Sequence, residues 1–411
     1  WGRLSAMSLS PSTGGRRPPG TVGEVFLVFL RLGLTSFGGP VAHLGYFREA
    51  FVERRKWLGD RAYADLVALC QFLPGPASSQ VGMAIGLQRA GFGGLLAAWA
   101  AFTLPSAILL VAFAYGVTAL GDLSGAGWIH GVKAAAVAVV AHAVLGMART
   151  LTPDAKRATI AVAGMIVVLL VPSAFAQVAV IAAAGVVGLV WLRPQAATAS
   201  ESEPFVVRVP RWAAIGSLAF FVILLAGLPL LVSATENGAV RLFDVFYRAG
   251  ALVFGGGHVV LPLLEAGTVQ TGLVDHDVFL AGYGAAQAVP GPLFTFAAYL
   301  GAATTSPPSG LLGAAIALVA IFLPATLLVV GVLPFWDRLR RAPLAQRALM
   351  GVNAGVVGIL AAALYTPVFT EGVTSVAALG IAAAGFVALT SWKAPAWAVV
   401  IAAGLIGWAV L

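Results

Sequence analysis

Charge is scarce in this sequence. Asp, Glu, Lys and Arg make up 10% of its 411 residues and hydrophobic residues 60%. An ordinary soluble domain carries roughly 25% charged residues, so a water-facing globule could not cover its surface with this supply. A disordered chain is excluded by the apolar content. Cysteine is nearly absent: Cys70 stands alone, which rules out an intrachain disulfide and a multi-cysteine metal site and leaves a small buried apolar residue. Enzyme signatures are missing as well. The sequence has no His-Glu-x-x-His, no Gly-x-Ser-x-Gly, no Walker lysine loop and no dinucleotide fingerprint in a soluble unit, so neither an enzyme nor a bound cofactor or metal is expected. The short alternating segments of a membrane β-barrel are also lacking.

Long apolar runs fill the space. They fall near 22–47, 62–87, 91–120, 128–148, 157–172, 174–192, 212–232, 242–264, 277–302, 310–336, 345–365, 372–390 and 394–411. At about 20 residues per span, these predict an all-α polytopic membrane protein. The 49 glycines suit close helix approach in a bilayer; Gly82-x-x-x-Gly86 and Gly351-x-x-x-Gly355 fit such packing. The net charge of +8 comes from Lys and Arg clustered in a few loops, as orientation signals are, and no nucleic-acid partner is expected. Residues 1–21 lack the apolar core of a signal peptide and read as a disordered tail.

The chain repeats itself. Arg31-Leu32-Gly33, Phe37-Gly38-Gly39, Gln71, Pro74-Gly75-Pro76 and Pro105 recur as Arg248-Ala249-Gly250, Phe254-Gly255-Gly256, Gln287, Pro290-Gly291-Pro292 and Pro324. Arg to Phe is six residues in both copies, and Phe to the first Pro is 37 and 36. Gly131-Val132-Lys133-Ala134 matches Gly351-Val352-Asn353-Ala354. The expected organisation is a tail at 1–21, a membrane repeat at 22–192, a cytoplasmic linker at 193–211, a connecting helix and loop at 212–240, and a second repeat at 241–411. The unpaired segment at 212–232 inverts the second repeat relative to the first. Thirteen full spans would put the loop with Arg48, Arg54, Arg55, Lys56 and Arg61 on the outer face, against the positive-inside rule. Re-entrant hairpins, broken at the Gly-Gly and Pro-Gly-Pro elements, return that loop to the inside and leave nine full spans. Inverted repeats with broken helices recur in secondary transporters.

Arg31 and Arg248 sit in apolar segments, where an ionisable group costs about 2.5–3.5 kcal/mol on insertion scales. A guanidinium offers a planar fork suited to an oxyanion, although either arginine could instead snorkel or tie backbone carbonyls. The four breaks create half-helix N-termini that attract anions. Gln71, Gln80, Gln287, Ser78, Ser79 and Thr295 could add donors, or serve helix–helix hydrogen bonding. Lys133 is a third positive charge or a helix-end snorkeller. His43 and His258 lie just past the Gly-Gly breaks and read as packing histidines. Glu49, Glu53 and Glu265 lie in or near loops, and no carboxylate inside an apolar segment stands out. A membrane enzyme or lipid head-group binder would need such a carboxylate or a Ser/His pair near the breaks, and the sequence suggests neither.

Gly33-Leu34-Thr35-Ser36-Phe37-Gly38-Gly39-Pro40, Phe72-Leu73-Pro74-Gly75-Pro76 with Gln80, Phe254-Gly255-Gly256-Gly257-His258 and Pro290-Gly291-Pro292 resemble the chromate ion transporter family in its long two-domain form, from about residue 22 onward. The resemblance implies export of chromate across the bacterial inner membrane, driven by the proton-motive force and conferring chromate resistance. Sulfate, another tetrahedral dianion, is the natural look-alike and the basis of the alternative reading as a sulfate or other oxyanion permease. Besides the oxyanion, the expected partners are the lipid bilayer and a second copy of the chain in a homodimer. Two departures stand out: Gly257 replaces the proline that follows the first Gly-Gly, and Leu293-Phe294-Thr295-Phe296 follows the second Pro-Gly-Pro without a matching glutamine. The first half is therefore expected to hold more of the polar contacts.

Overall fold

The computed structural model describes residues 20–37, 39–120, 127–171, 173–193, 205, 207, 209–254, 260–336 and 342–411. Most of the expected tail, most of the linker, Gly38, Gly255, Gly256 and His258 lie outside them. Every regular element among the described residues is helical. The first half holds α1 (Val22–Thr35), α2 (Gly39–Arg48, continued by a π-helical turn to Arg54), α3 (Asp60–Phe72), α4 (Ala77–Leu120), α5 (Gly127–Leu151), α6 (Ala155–Leu170) and α7 (Ala174–Trp191). α8 (Arg211–Ala234) follows. The second half holds α9 (Gly238–Leu252), α10 (Val260–Thr268), α11 (His276–Ala288), α12 (Phe296–Ala302), α13 (Gly310–Val332), α14 (Pro343–Ala363), α15 (Val376–Thr390) and α16 (Ala396–Val410).

Among the described residues, five helices are long and apolar enough to cross a membrane, and several shorter apolar ones accompany them. α8 buries only Ala214 and Leu228, leaving Trp212, Ile223 and Leu230 exposed. Water would not tolerate that apolar face, but lipid does. The chain is a multi-pass helical membrane protein.

The four apolar stretches that carry Gly-Gly or Pro-Gly-Pro are each split into two helices. Stretch 22–47 becomes α1 and α2, and 242–264 becomes α9 and α10. Stretch 62–87 becomes α3 and the start of α4, and 277–302 becomes α11 and α12. Gly75 and Gly291 have φ of +116° and +102°, a region that a residue with a Cβ rarely adopts. α4 itself has two arms. Ala90 and Gly91 (φ +64°) leave the helical region, and the chain folds back so that Gly86 lies against the backbone of Gly94.

Matched glycines make matched contacts. Gly33 lies against the Phe102 carbonyl of α4, and Gly250 against the Ile321 carbonyl of α13. The halves also interleave: α5 packs on α15 and α16, while α14 packs on α6 and α7. Gly131 touches Ala403 and Gly407, and Gly351 touches Ala184 and Gly188. Missing side chains at these points let the backbones approach closely.

Candidate functional site

The breaks of the two halves cross. The Gly75 N–H donates to the Val253 carbonyl at 2.7 Å, and the Gly291 N–H donates to the Ser36 carbonyl at 2.9 Å. Ser36 lies five residues after Arg31, and Val253 five after Arg248. Each arginine therefore precedes one of the two bonds by about 7.5 Å of helix rise. A buried amide with no water must find an acceptor, so these two N–H groups are engaged by the opposite half and are not free for a ligand.

A polar cluster surrounds the Ser36 end. His43 Nε2 is 3.2 Å from the Ser36 carbonyl and its Nδ1 is 3.4 Å from Ser78 Oγ, with the ring edge-on to Phe102. A Ser/His pair thus exists near the breaks, contrary to the expectation from sequence. Its second imidazole nitrogen faces a backbone carbonyl, with no carboxylate there to orient a base. Gln80 Nε2 donates to the Pro74 carbonyl at 2.8 Å. Ser36 Oγ, Ser79 Oγ, Thr103 Oγ1 and Gln80 Oε1 are buried with no hydrogen-bond partner among the described residues.

A cavity of about 1400 Å³ runs from Pro40, Gly75 and Ala77 to Lys156, Arg157 and Arg193. Gln71, His142 and Asn353 also face it, and the N-terminus of α4 opens onto it. A smaller cavity of about 600 Å³ is apolar and lined by residues of both halves, such as Phe113, Trp128 and Trp408. Ala288 and Val289 line it where Phe72 and Leu73 line the large one.

The charged candidates lie elsewhere. Arg31 is exposed, on the side of α1 away from the buried Val25, Val28, Phe29 and Gly33, and has no salt bridge among the described residues. Arg248 Nη2 is 2.6 Å from Asp244 Oδ2. Neither arginine lines the large cavity. Lys133, 4% exposed, is ion-paired with Asp277 at the start of α11. Asp244 corrects the reading that no carboxylate stands out in an apolar segment: it is 2% exposed on α9. Its place two residues inside the run at 242–264 made it look interfacial, and only the i, i+4 spacing to Arg248 could have flagged it. Glu49 and Glu53, which lie not in a loop but on the π-helical turn that continues α2, pair with Arg54 and Arg48. Phe37 stacks near Trp397, and Phe254 packs on the apolar core of the second half. Around Pro292 the second half presents buried Leu293, Phe294 and Phe296 in place of Ala77, Ser78 and Gln80.

Duplicated broken helices around a crossed backbone contact, in an apolar multi-pass chain, define a membrane transporter rather than an enzyme. The chain belongs to the chromate transporter family, whose model matches residues 23–189 and again 240–408. It is similar to a chromate transport protein of Pseudomonas aeruginosa (30% identical, covering 96% of this chain and 93% of that one). A probable chromate transport protein of Synechococcus elongatus is 29% identical over 89% of this chain and 88% of its own length. A chromate transport protein of Cupriavidus metallidurans is 27% identical over 84% and 82%. No solved structure matches the chain.

Proposed function

We propose that this protein exports chromate from the bacterial cytoplasm across the inner membrane by alternating access, with the two halves acting as inverted repeats around the crossing. The observation that carries the reading is the reciprocal pair of bonds, Gly75 to Val253 and Gly291 to Ser36, at the end of the large cavity. Such a joint gives two equivalent halves a shared pivot at bilayer depth, where broken helices are tolerated only if they line a cavity or are buried in protein.

The positive-inside rule assigns Lys156, Arg157 and Arg193 to the cytoplasm, so the cavity is the inward-facing vestibule. An oxyanion entering it reaches the α4 N-terminus, whose Ala77, Ser78 and Ser79 amides start a helix and attract negative charge. The unpartnered hydroxyls of Ser36, Ser79 and Thr103 are donors within the same region. Arg31 and Arg248 flank the crossing and supply the countercharge as the halves rock. The apolar cavity and the Lys133–Asp277 pair belong to the outer wall. An interior-negative potential favours outward passage of a dianion by about 4.6 kcal/mol per 100 mV, on the order of a thousandfold in concentration, so the electrical part of the proton-motive force suffices to drive export.

Inverted membrane vesicles, energised and supplied with chromate, test the reading. Accumulation that collapses when the membrane potential is dissipated is expected, with sulfate competing weakly. Movement of sulfate and none of chromate would overturn the substrate, and movement of neither would overturn the function.

A further inference from the structure

Asp244 is a carboxylate that the transport cycle above does not use. It is buried on α9, and its Oδ2 holds Arg248 while its Oδ1 and Arg248 Nε have no partner among the described residues. α9 packs on α8, α10 and α13. Among the described residues of these helices, α13 has no ionisable side chain, α8 has Arg211 at its first position, and α10 has Glu265, which accepts from Gln270. On α9 itself, Arg241 donates to the Thr271 carbonyl and Tyr247 to the Phe221 carbonyl. Arg248 is thus the cation that offsets Asp244. The first half lacks this pair: counting back four residues from Arg31 gives Leu27, which is exposed.

We propose that Asp244 is a tethered stand-in for the substrate. Its carboxylate occupies Arg248 in the empty protein, an arriving oxyanion takes the guanidinium from it, and the displaced carboxylate takes one proton from water. The ion pair, the free dianion and one proton from water become a guanidinium–oxyanion pair and a neutral carboxylic acid, with hydroxide left in the water, so charge and protons balance. A buried carboxylate stripped of its cation is unfavourable, and protonation is its ready relief. The inference rests on the oxyanion reading of the site. It adds that binding is linked to uptake of one proton and that each substrate leaves carrying one net negative charge instead of two.

The purified full-length protein, titrated with chromate between about pH 8 and 9, where the anion is almost wholly the dianion, provides the test. Calorimetry in two buffers of different ionisation enthalpy counts the protons. The wild type is expected to take up as much as one proton per anion and to weaken by up to about tenfold per pH unit. Asp244→Asn is expected to bind at least about tenfold more tightly at the upper end, with that uptake gone. Should Asp244→Asn fail to fold, Asp244→Ser takes its place, with the same tightening and loss of proton uptake expected. Wild-type binding without proton uptake, or unchanged affinity and uptake in Asp244→Asn, overturns the inference while leaving the oxyanion site standing. A wild type that binds no chromate overturns both.

Discussion

After Pro74-Gly75-Pro76 the first half continues with Ala77, Ser78, Ser79 and Gln80; after Pro290-Gly291-Pro292 the second continues with Leu293, Phe294, Thr295 and Phe296. The backbone joints are equivalent, down to the crossed bonds. The side chains are not. The surface around the first joint borders a cavity of about 1400 Å³ with polar and charged residues in its wall, and the surface around Val289 borders an apolar one of about 600 Å³. Asn353 faces the open cavity, while Lys133 at the matching position is locked to Asp277. Arg31 has Leu27 one turn back, and Arg248 has Asp244. Duplication thus fixes where the chain breaks, and divergence decides which joint is polar and which is apolar.

The comparison can be broken most severely at the arginines. Arg31→Gln and Arg248→Gln should each abolish chromate transport in inverted vesicles while the protein still inserts; normal transport by both would remove them from the site. The joints come next. A Cβ at Gly291 would lie 2.8 Å from Ser106 Oγ, and one at Gly75 would lie 3.0 Å from Gln80 Nε2 and 3.1 Å from Ala325 Cβ. Alanine there also pays about 1–2 kcal/mol for positive φ. Both variants should lose most transport, Gly291→Ala more than Gly75→Ala, measured as initial rates.

The outer wall offers a subtler test. Lys133→Asn copies Asn353 but leaves Asp277 without its partner, so Lys133→Asn with Asp277→Asn is the cleaner change. The double variant, made in a chain that also carries Cys70→Ser and Ala363→Cys, should favour the outward-open form, seen as a raised reactivity of the introduced thiol. The smallest effect belongs to the α6 cap. Asp154 accepts from the Arg157 N–H and pairs with its guanidinium, which hold its carboxyl below the usual range. Its stabilisation is full above the ordinary Asp pKa and fades as pH falls through the lowered one. Asp154→Ala should cost at most about 1 kcal/mol at neutral pH and less in acid, read from thermal unfolding at the two pH values.

Much of this was legible in the sequence. Gly and Pro in matched register inside apolar runs announce both the duplication and the breaks, because such residues interrupt helices whatever surrounds them. The polar bias of the first half was legible too, from Gln80 against Phe296. Pairings across the chain were not. Lys133 and Asp277 are 144 positions apart, and no spacing rule joins them. The bonds from Gly75 to Val253 and from Gly291 to Ser36 need both halves folded around each other. Asp244 was hidden by its position near the end of an apolar run, where a carboxylate passes for an interfacial one.

The most direct measurement is the accessibility of a single thiol in each wall, in a Cys70→Ser background. Ala143 lines the open cavity; counting from Gly131 and Gly351, its counterpart is Ala363, which is buried. Ala143→Cys should react with a membrane-impermeant reagent from the cytoplasmic side, and Ala363→Cys from the outer side alone, with opposite responses to chromate. Reaction of both from the same side, or an Ala363→Cys that never reacts while transport proceeds, would contradict alternating exposure of the two halves.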